Sequence, residues 1–271
     1  TWSERQALMK QMTSLGPSKG ECKQRVFDHI CAFFGVDLGA TKGNQIKDKG
    51  RDRARKMIGK LQEPWLVPGY LKRNRDAIFF GDSGSGKTTI SLDMVRSLAQ
   101  GRTFADGKEP CQEGQKALFI ASDGGSAAEG ILMQYLNDLG VMHSEKFWNN
   151  FRWWSSDEES TTPPWTLTLG NMILLQNRVK EGDIDLVVID SLKAVTAGTE
   201  YSIDDRNIGE VMRLIQAIVC PHAALVWVHH TNKSGAKSSH RAGGVTDIIE
   251  VVSAAFEVER EWVDGQSSQA S

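Results

Sequence analysis

Cysteine is scarce in this chain of 271 residues. There are four, Cys22, Cys31, Cys111 and Cys220, scattered and without a C-x-x-C pair. That spacing argues against a disulfide framework and reads as reduced thiols. Cys22, His29 and Cys31 lie close together, but no fourth zinc ligand is evident. Positive charge is not in excess. Lys plus Arg number 32 against 34 Asp plus Glu, a net charge of −2. A generally basic nucleic-acid coat is thereby excluded, so any nucleic-acid contact must come from local basic loops. Long apolar runs are missing too. None approaches the ~18 residues of a membrane span, and no signal-peptide pattern is read. No membrane partner is therefore expected, and the expected location is the cytoplasm, of a bacterium or of a host cell if the gene is viral. The chain opens on Thr1 rather than Met, which raises the expectation of a fragment of a longer protein.

What is present starts with Gly81-Asp82-Ser83-Gly84-Ser85-Gly86-Lys87-Thr88, a G-x-x-x-x-G-K-T phosphate-binding loop. An apolar strand-type run, Ala77–Phe80, precedes it. Helical spacing of apolar residues follows, from Thr89 to Ala99. Glycines let the backbone curl and turn several N–H groups inward as an anion nest. The helix N-terminus adds partial positive charge beneath the phosphates. Lys87 can reach the β- and γ-phosphates, and the Thr88 hydroxyl can ligate Mg²⁺. Residues Gly81 to Thr89 are thus the expected binding segment for ATP and its Mg²⁺.

Residues 1–62 differ from the rest. They are polar and basic with helical patches, and Lys42–Lys60 includes Arg51, Arg53, Arg55 and Lys56. A solvated helical face and an arm touching a neighbour or nucleic acid are both open readings. Pro64, Pro68 and Gly69 mark a boundary, so a catalytic domain is expected over 63–262 and a disordered tail over 263–271. Within that domain apolar strands alternate with helices. Strands are expected at Lys116–Ala121, Phe151–Trp154, Asp185–Asp190, Ala223–His230 and about 254–259. Helices are expected at about 126–139, 170–181, 206–219 and 245–251, with loops at 191–205 and Thr231–Gly244. This alternation predicts a three-layer α/β/α fold with a mostly parallel sheet, preceded by a small helical segment.

Ligands collect beyond the C-terminal ends of such strands. The phosphate loop, Asp123, Asp190 and His230 all fall there. Asp190 closes a hydrophobic strand and would hold Mg²⁺ together with Thr88. Asp123 is the carboxylate available to orient the attacking water, although Ser-Asp-Gly-Gly is also ordinary turn chemistry. His230 can sense the γ-phosphate and relay its loss to the following loop. His229 points to the other face of the strand. Lys233, Lys237, His240 and Arg241 sit among Ser and Gly in that loop, and Lys193 follows Asp190. Flexible basic loops of this kind suit contact with a nucleic-acid backbone.

These residues resemble a known family. Val67-Pro68-Gly69, Gly81–Thr88, Phe119–Gly125, Leu186–Asp190, Val228–Lys233 and Arg241–Gly244 are similar to segments of the RecA-like ATPases of the RepA type, kin of the replicative helicase DnaB. The resemblance spans about residues 63–260. It implies a RecA-like P-loop fold and a ring, a homohexamer, with ATP between subunits. It further implies central loops gripping single-stranded DNA and translocation driven by hydrolysis. Lys87 and Thr88 then match the P-loop pair, Asp190 the Walker B acid and His230 the γ-phosphate sensor. Residues 232–243 match the DNA-contacting loop. The departures are Asp123 where the family has Glu, Gly243-Gly244 where it has Arg-Gly, and no Lys-x-Arg finger after residue 260. Truncation, or substitution by Arg241 or Arg260, would account for the last. Residues 1–62 could be the linker after a primase or polymerase module in the same polypeptide.

The expected function is therefore an ATP-hydrolysing DNA helicase or translocase of replication. Two rivals stand beside it. One is a RecA-like recombination or repair ATPase, and the other an ATP-binding scaffold protein with weak hydrolysis.

Overall fold

A computed structural model describes residues 32, 64–122, 128–154, 165–197, 199, 208–231 and 248–260. The expected helical segment over 1–62, apart from the isolated residue Ala32, and the expected tail lie outside them. All but Ala32 belong to one unit, within Lys47–Ser271.

Six strands make one sheet: β3 (Asp76–Gly81), β4 (Ala117–Ala121), β5 (Phe151–Trp154), β6 (Leu186–Asp190), β7 (Ala224–His230) and β8 (Ala254–Glu257). Their order is β5-β4-β6-β7-β3-β8, and every described pairing is parallel. The sequences explain this. Ala117–Ala121 and Leu186–Asp190 are buried at every position. Parallel strands covered on both faces need such continuous apolar runs.

Helices cover both faces. On one, α1 (Lys87–Gln100), α2 (Ala128–Asp138) and α3 (Glu145–Asn150) bring Leu92, Val95, Leu132, Leu136 and Phe147 against Phe79, Phe119, Val188 and Val226. On the other, α4 (Leu169–Glu181), α5 (Leu192–Thr196) and α6 (Ile208–Val219) lie over the remaining strand residues, of which Ile78, Leu118, Val187, Leu225 and Trp227 are buried. The fold is thus the α/β/α P-loop architecture expected.

Two local expectations change. Pro68-Gly69 is the turn of a small antiparallel pair, β1 (Trp65–Val67) with β2 (Leu71–Lys72), and Gly69 takes a left-handed φ of 82°. Leu66, Val67 and Leu71 from this pair join the core. Secondly, the segment expected as loop after Asp190 begins with the short helix α5. Ser191 caps it, its Oγ accepting a hydrogen bond from the Ala194 N–H at 3.4 Å. Ser191 satisfies an orphan donor of the first turn, which is a local signal in the sequence.

The sheet order sets the site. From β3 the chain passes through α1 to β4, leaving two strand positions vacant. β6 and then β7 fill them, so β7 lies between the phosphate-loop strand and the strand ending in Asp190. Gly81 pairs in register with His230, Ala121 with Asp190, and Asp190 with Val228. Ligand crevices in open parallel sheets lie at such a reversal of strand order.

The opposite end of β3 is held by a buried polar group. Asp76, 4% exposed, accepts hydrogen bonds from Gln216 Nε2 (2.6 Å), Ser253 Oγ (2.8 Å) and Ser253 N (3.1 Å). These tie the start of β3 to α6 and to the residue before β8.

Candidate nucleotide site

The phosphate loop runs directly from β3 into α1. Gly84 and Gly86 adopt φ of 78° and 96°, the left-handed region that glycine enters without steric cost. Gly86 begins α1 with no side-chain cap. By contrast α3 and α4 begin with Ser144 and Thr168, whose side-chain oxygens accept from Phe147 N and Asn171 N. At α1 the first-turn N–H groups thus meet no competing side-chain acceptor, as an anion site requires.

Lys87 is 2% exposed. Its Nζ donates to Gly81 O (2.9 Å), Asp82 O (2.6 Å) and Ser85 Oγ (3.2 Å). Burying an ammonium is costly unless acceptors surround it, and the loop supplies them. Next to it the Thr88 hydroxyl donates to Asp190 Oδ2 at 2.6 Å, and Asp190 is 3% exposed. A hydroxyl and a carboxylate so placed are hard oxygen donors of the kind Mg²⁺ takes. The donor set therefore fits a divalent cation beside the phosphates.

A cavity of about 280 Å³ opens here, lined by Gly84, Lys87, Thr88, Asp190 and His230. Its far wall is apolar and comes from Phe119, Ala121, Ile131, Leu132 and Tyr135. Sequence reasoning missed this wall. Ala121 obeys the strand-end rule, but Ile131 and Tyr135 show only helical spacing. His230 lines the cavity, while His229 is buried among the strands at 6% exposure, as alternation predicts.

A second cavity, about 460 Å³, lies against the phosphate loop. It is lined by Gly81 to Ser85, Thr231, Glu257, Val258, Glu259 and Arg260. Thr89 is half-buried in the first turn of α1 and is not among the lining residues of either cavity. Lys193 is exposed on α5, just beyond the end of β6. Asp123, Lys233, Lys237, His240 and Arg241 lie outside the described residues.

The structure thus brings Gly81–Thr88, Asp190 and His230 together from three strands adjacent or next-adjacent in the sheet. A family model described as an AAA domain, a P-loop ATPase family, matches residues 59–236, more than half of the chain. No curated protein matches the chain.

Proposed function

The chain belongs to the AAA-domain family of P-loop ATPases, and from that premise we propose that it is the motor domain of a DNA helicase or translocase of the RepA and DnaB type. One observation carries the reading. β7 stands between the Lys87 loop and Asp190, carries His230 into the cavity, and leads directly into the basic segment that holds Lys233, Lys237 and Arg241. Nucleotide state at one end of that strand thus has a short covalent route to cationic residues suited to a DNA backbone.

The chemistry assigned to the residues is as follows. Lys87 and the α1 N-terminus hold the phosphates, and Lys87 neutralises charge that develops on them in the transition state. Thr88 and Asp190 would hold Mg²⁺, which when bound supplies further charge neutralisation. Asp123 orients the attacking water and accepts its proton. His230 lies where it can hydrogen-bond the γ-phosphate or that water. Subunits assemble as a ring, a homohexamer, with single-stranded DNA in its centre. The loop following His230 and Lys193 contact that DNA. Arg241 or Arg260 supplies the cation that acts in trans on a neighbour's nucleotide.

The test is ATP turnover with and without single-stranded DNA at low salt. Stimulation by DNA, lost on raising salt, is expected. Lys233→Ala and Lys237→Ala should weaken DNA binding more than ATP binding. A turnover rate indifferent to DNA would sink the motor reading and leave the scaffold reading, which the shorter Asp123 side chain favours. Electron microscopy separates rings from the open filaments of a recombination ATPase.

A further inference from the structure

Asp82 is an oddity in its surroundings. It is the one carboxylate within Gly81–Thr88, and it sits in a loop built to receive anions. Its side chain is exposed and accepts a hydrogen bond from the Thr231 hydroxyl, Oγ1 to Oδ1, at 3.1 Å. The same threonine fixes the backbone beside it, for Thr231 N donates to Gly81 O at 3.0 Å.

The end of β7 therefore straddles the phosphate loop. His230 lines the cavity that contains Lys87 and Asp190, and Thr231 lines the cavity on the other side, with Asp82. Lys87 grips the same two residues from within, through the carbonyls of Gly81 and Asp82. The outer cavity also carries Glu257, Glu259 and Arg260, two negative charges against one positive. An untethered Asp82 carboxylate would face those charges on one side and the phosphates on the other.

We propose that Thr231 is a positioning residue of the nucleotide site: its hydroxyl holds the Asp82 carboxylate on the outer flank of the loop, away from the bound phosphates. This rests on the reading that Gly81–Thr88 binds a nucleoside triphosphate. Two features make Thr231 the suited residue. Its backbone contact with Gly81 sets the distance at which the hydroxyl meets Asp82. Its place directly after His230 lets one strand end serve both flanks of the loop.

The test is calorimetric titration of the full chain with Mg·ATP, in a double-mutant cycle. Thr231→Val keeps the shape and removes the donor. It should raise the Kd about three- to tenfold, the range of one ordinary net hydrogen bond, since this bond to an exposed carboxylate is open to water. Thr231→Ser should return the Kd to within about twofold of the parent, since the donor is restored. In an Asp82→Ala background, Thr231→Val should change nothing, because there is no carboxylate left to hold. Three results would overturn the proposal: no weakening by Thr231→Val, an equal weakening in the Asp82→Ala background, or no rescue by serine. The last two would assign Thr231 a packing role. A parent chain that binds no Mg·ATP would overturn the nucleotide reading itself, and the proposal with it.

Discussion

Replacing Gly81 with alanine puts a methyl group where the chain has no room for one. Gly81 has φ of 152°, and an added Cβ would stand 2.3 Å from the Val258 carbonyl oxygen and 3.2 Å from Ser85 Oγ. Ser85 can rotate away. Val258 cannot, because its N–H donates to Phe80 O at 2.8 Å and its carbonyl belongs to backbone. Relieving the contact moves Val258 by roughly 1 Å and breaks that hydrogen bond. The broken bond costs about 1 kcal/mol, and alanine at this φ about 1–3 kcal/mol more. The stiffer unfolded chain returns about 0.4–1 kcal/mol. A net loss of about 1–3.5 kcal/mol should appear in urea unfolding, with Tm lower by about 2–14 °C. Gly84→Ala is the control. Its φ is 78° but nothing lies within 4 Å of its Cβ, so it carries backbone strain alone, about 1–2 kcal/mol before the same offset. Equal losses in the two variants would refute the steric argument, since both share the strain and only Gly81 meets Val258. ATP affinity should also fall in Gly81→Ala, because Gly81 O accepts from both Lys87 Nζ and Thr231 N.

Other perturbations separate site from scaffold. Lys87→Ala should abolish ATP binding or turnover, and hydrolysis persisting in that variant would place the reaction elsewhere. Asp76→Ala removes the shared acceptor of Gln216 and Ser253 and should cost about 2–4 kcal/mol in urea unfolding. Asp76 starts β3 and the loop ends it, so ATP affinity should stay within about twofold, and a larger change would show coupling along the strand. Burial pushes the Cys111 thiol up to about 11. Burial, with Asp76 adding to it, pushes Cys220 up to about 12. Both should alkylate far more slowly at pH 8 in the folded chain than in urea. The unfolded chain releases these protons near pH 9 while the folded chain keeps them. Stability should therefore fall as pH rises from about 9 through 11 and 12, and a flat profile there would contradict the assigned burial.

Much of this was legible locally. The phosphate loop is a contiguous motif whose glycines, lysine and threonine act through backbone shape and reach. Val187, Val188 and Ile189 ending in Asp190 announce a buried strand with a polar terminus, and Leu225 to His230 does the same. Such runs specify a parallel sheet because both faces must be apolar. What they leave open is which strand lies beside which, since β3, β4, β6 and β7 are all apolar runs and strand pairing is a contact between distant segments. Only the tertiary structure decided that β7 lies between Gly81 and Asp190. Only it brought Thr231 to Asp82, Tyr135 to the wall facing Lys87, and Ser253 to Asp76. A side chain's own sequence neighbours set its local conformation. Its partner across the fold is set by the order in which helices and strands pack, and that order is a property of the whole chain.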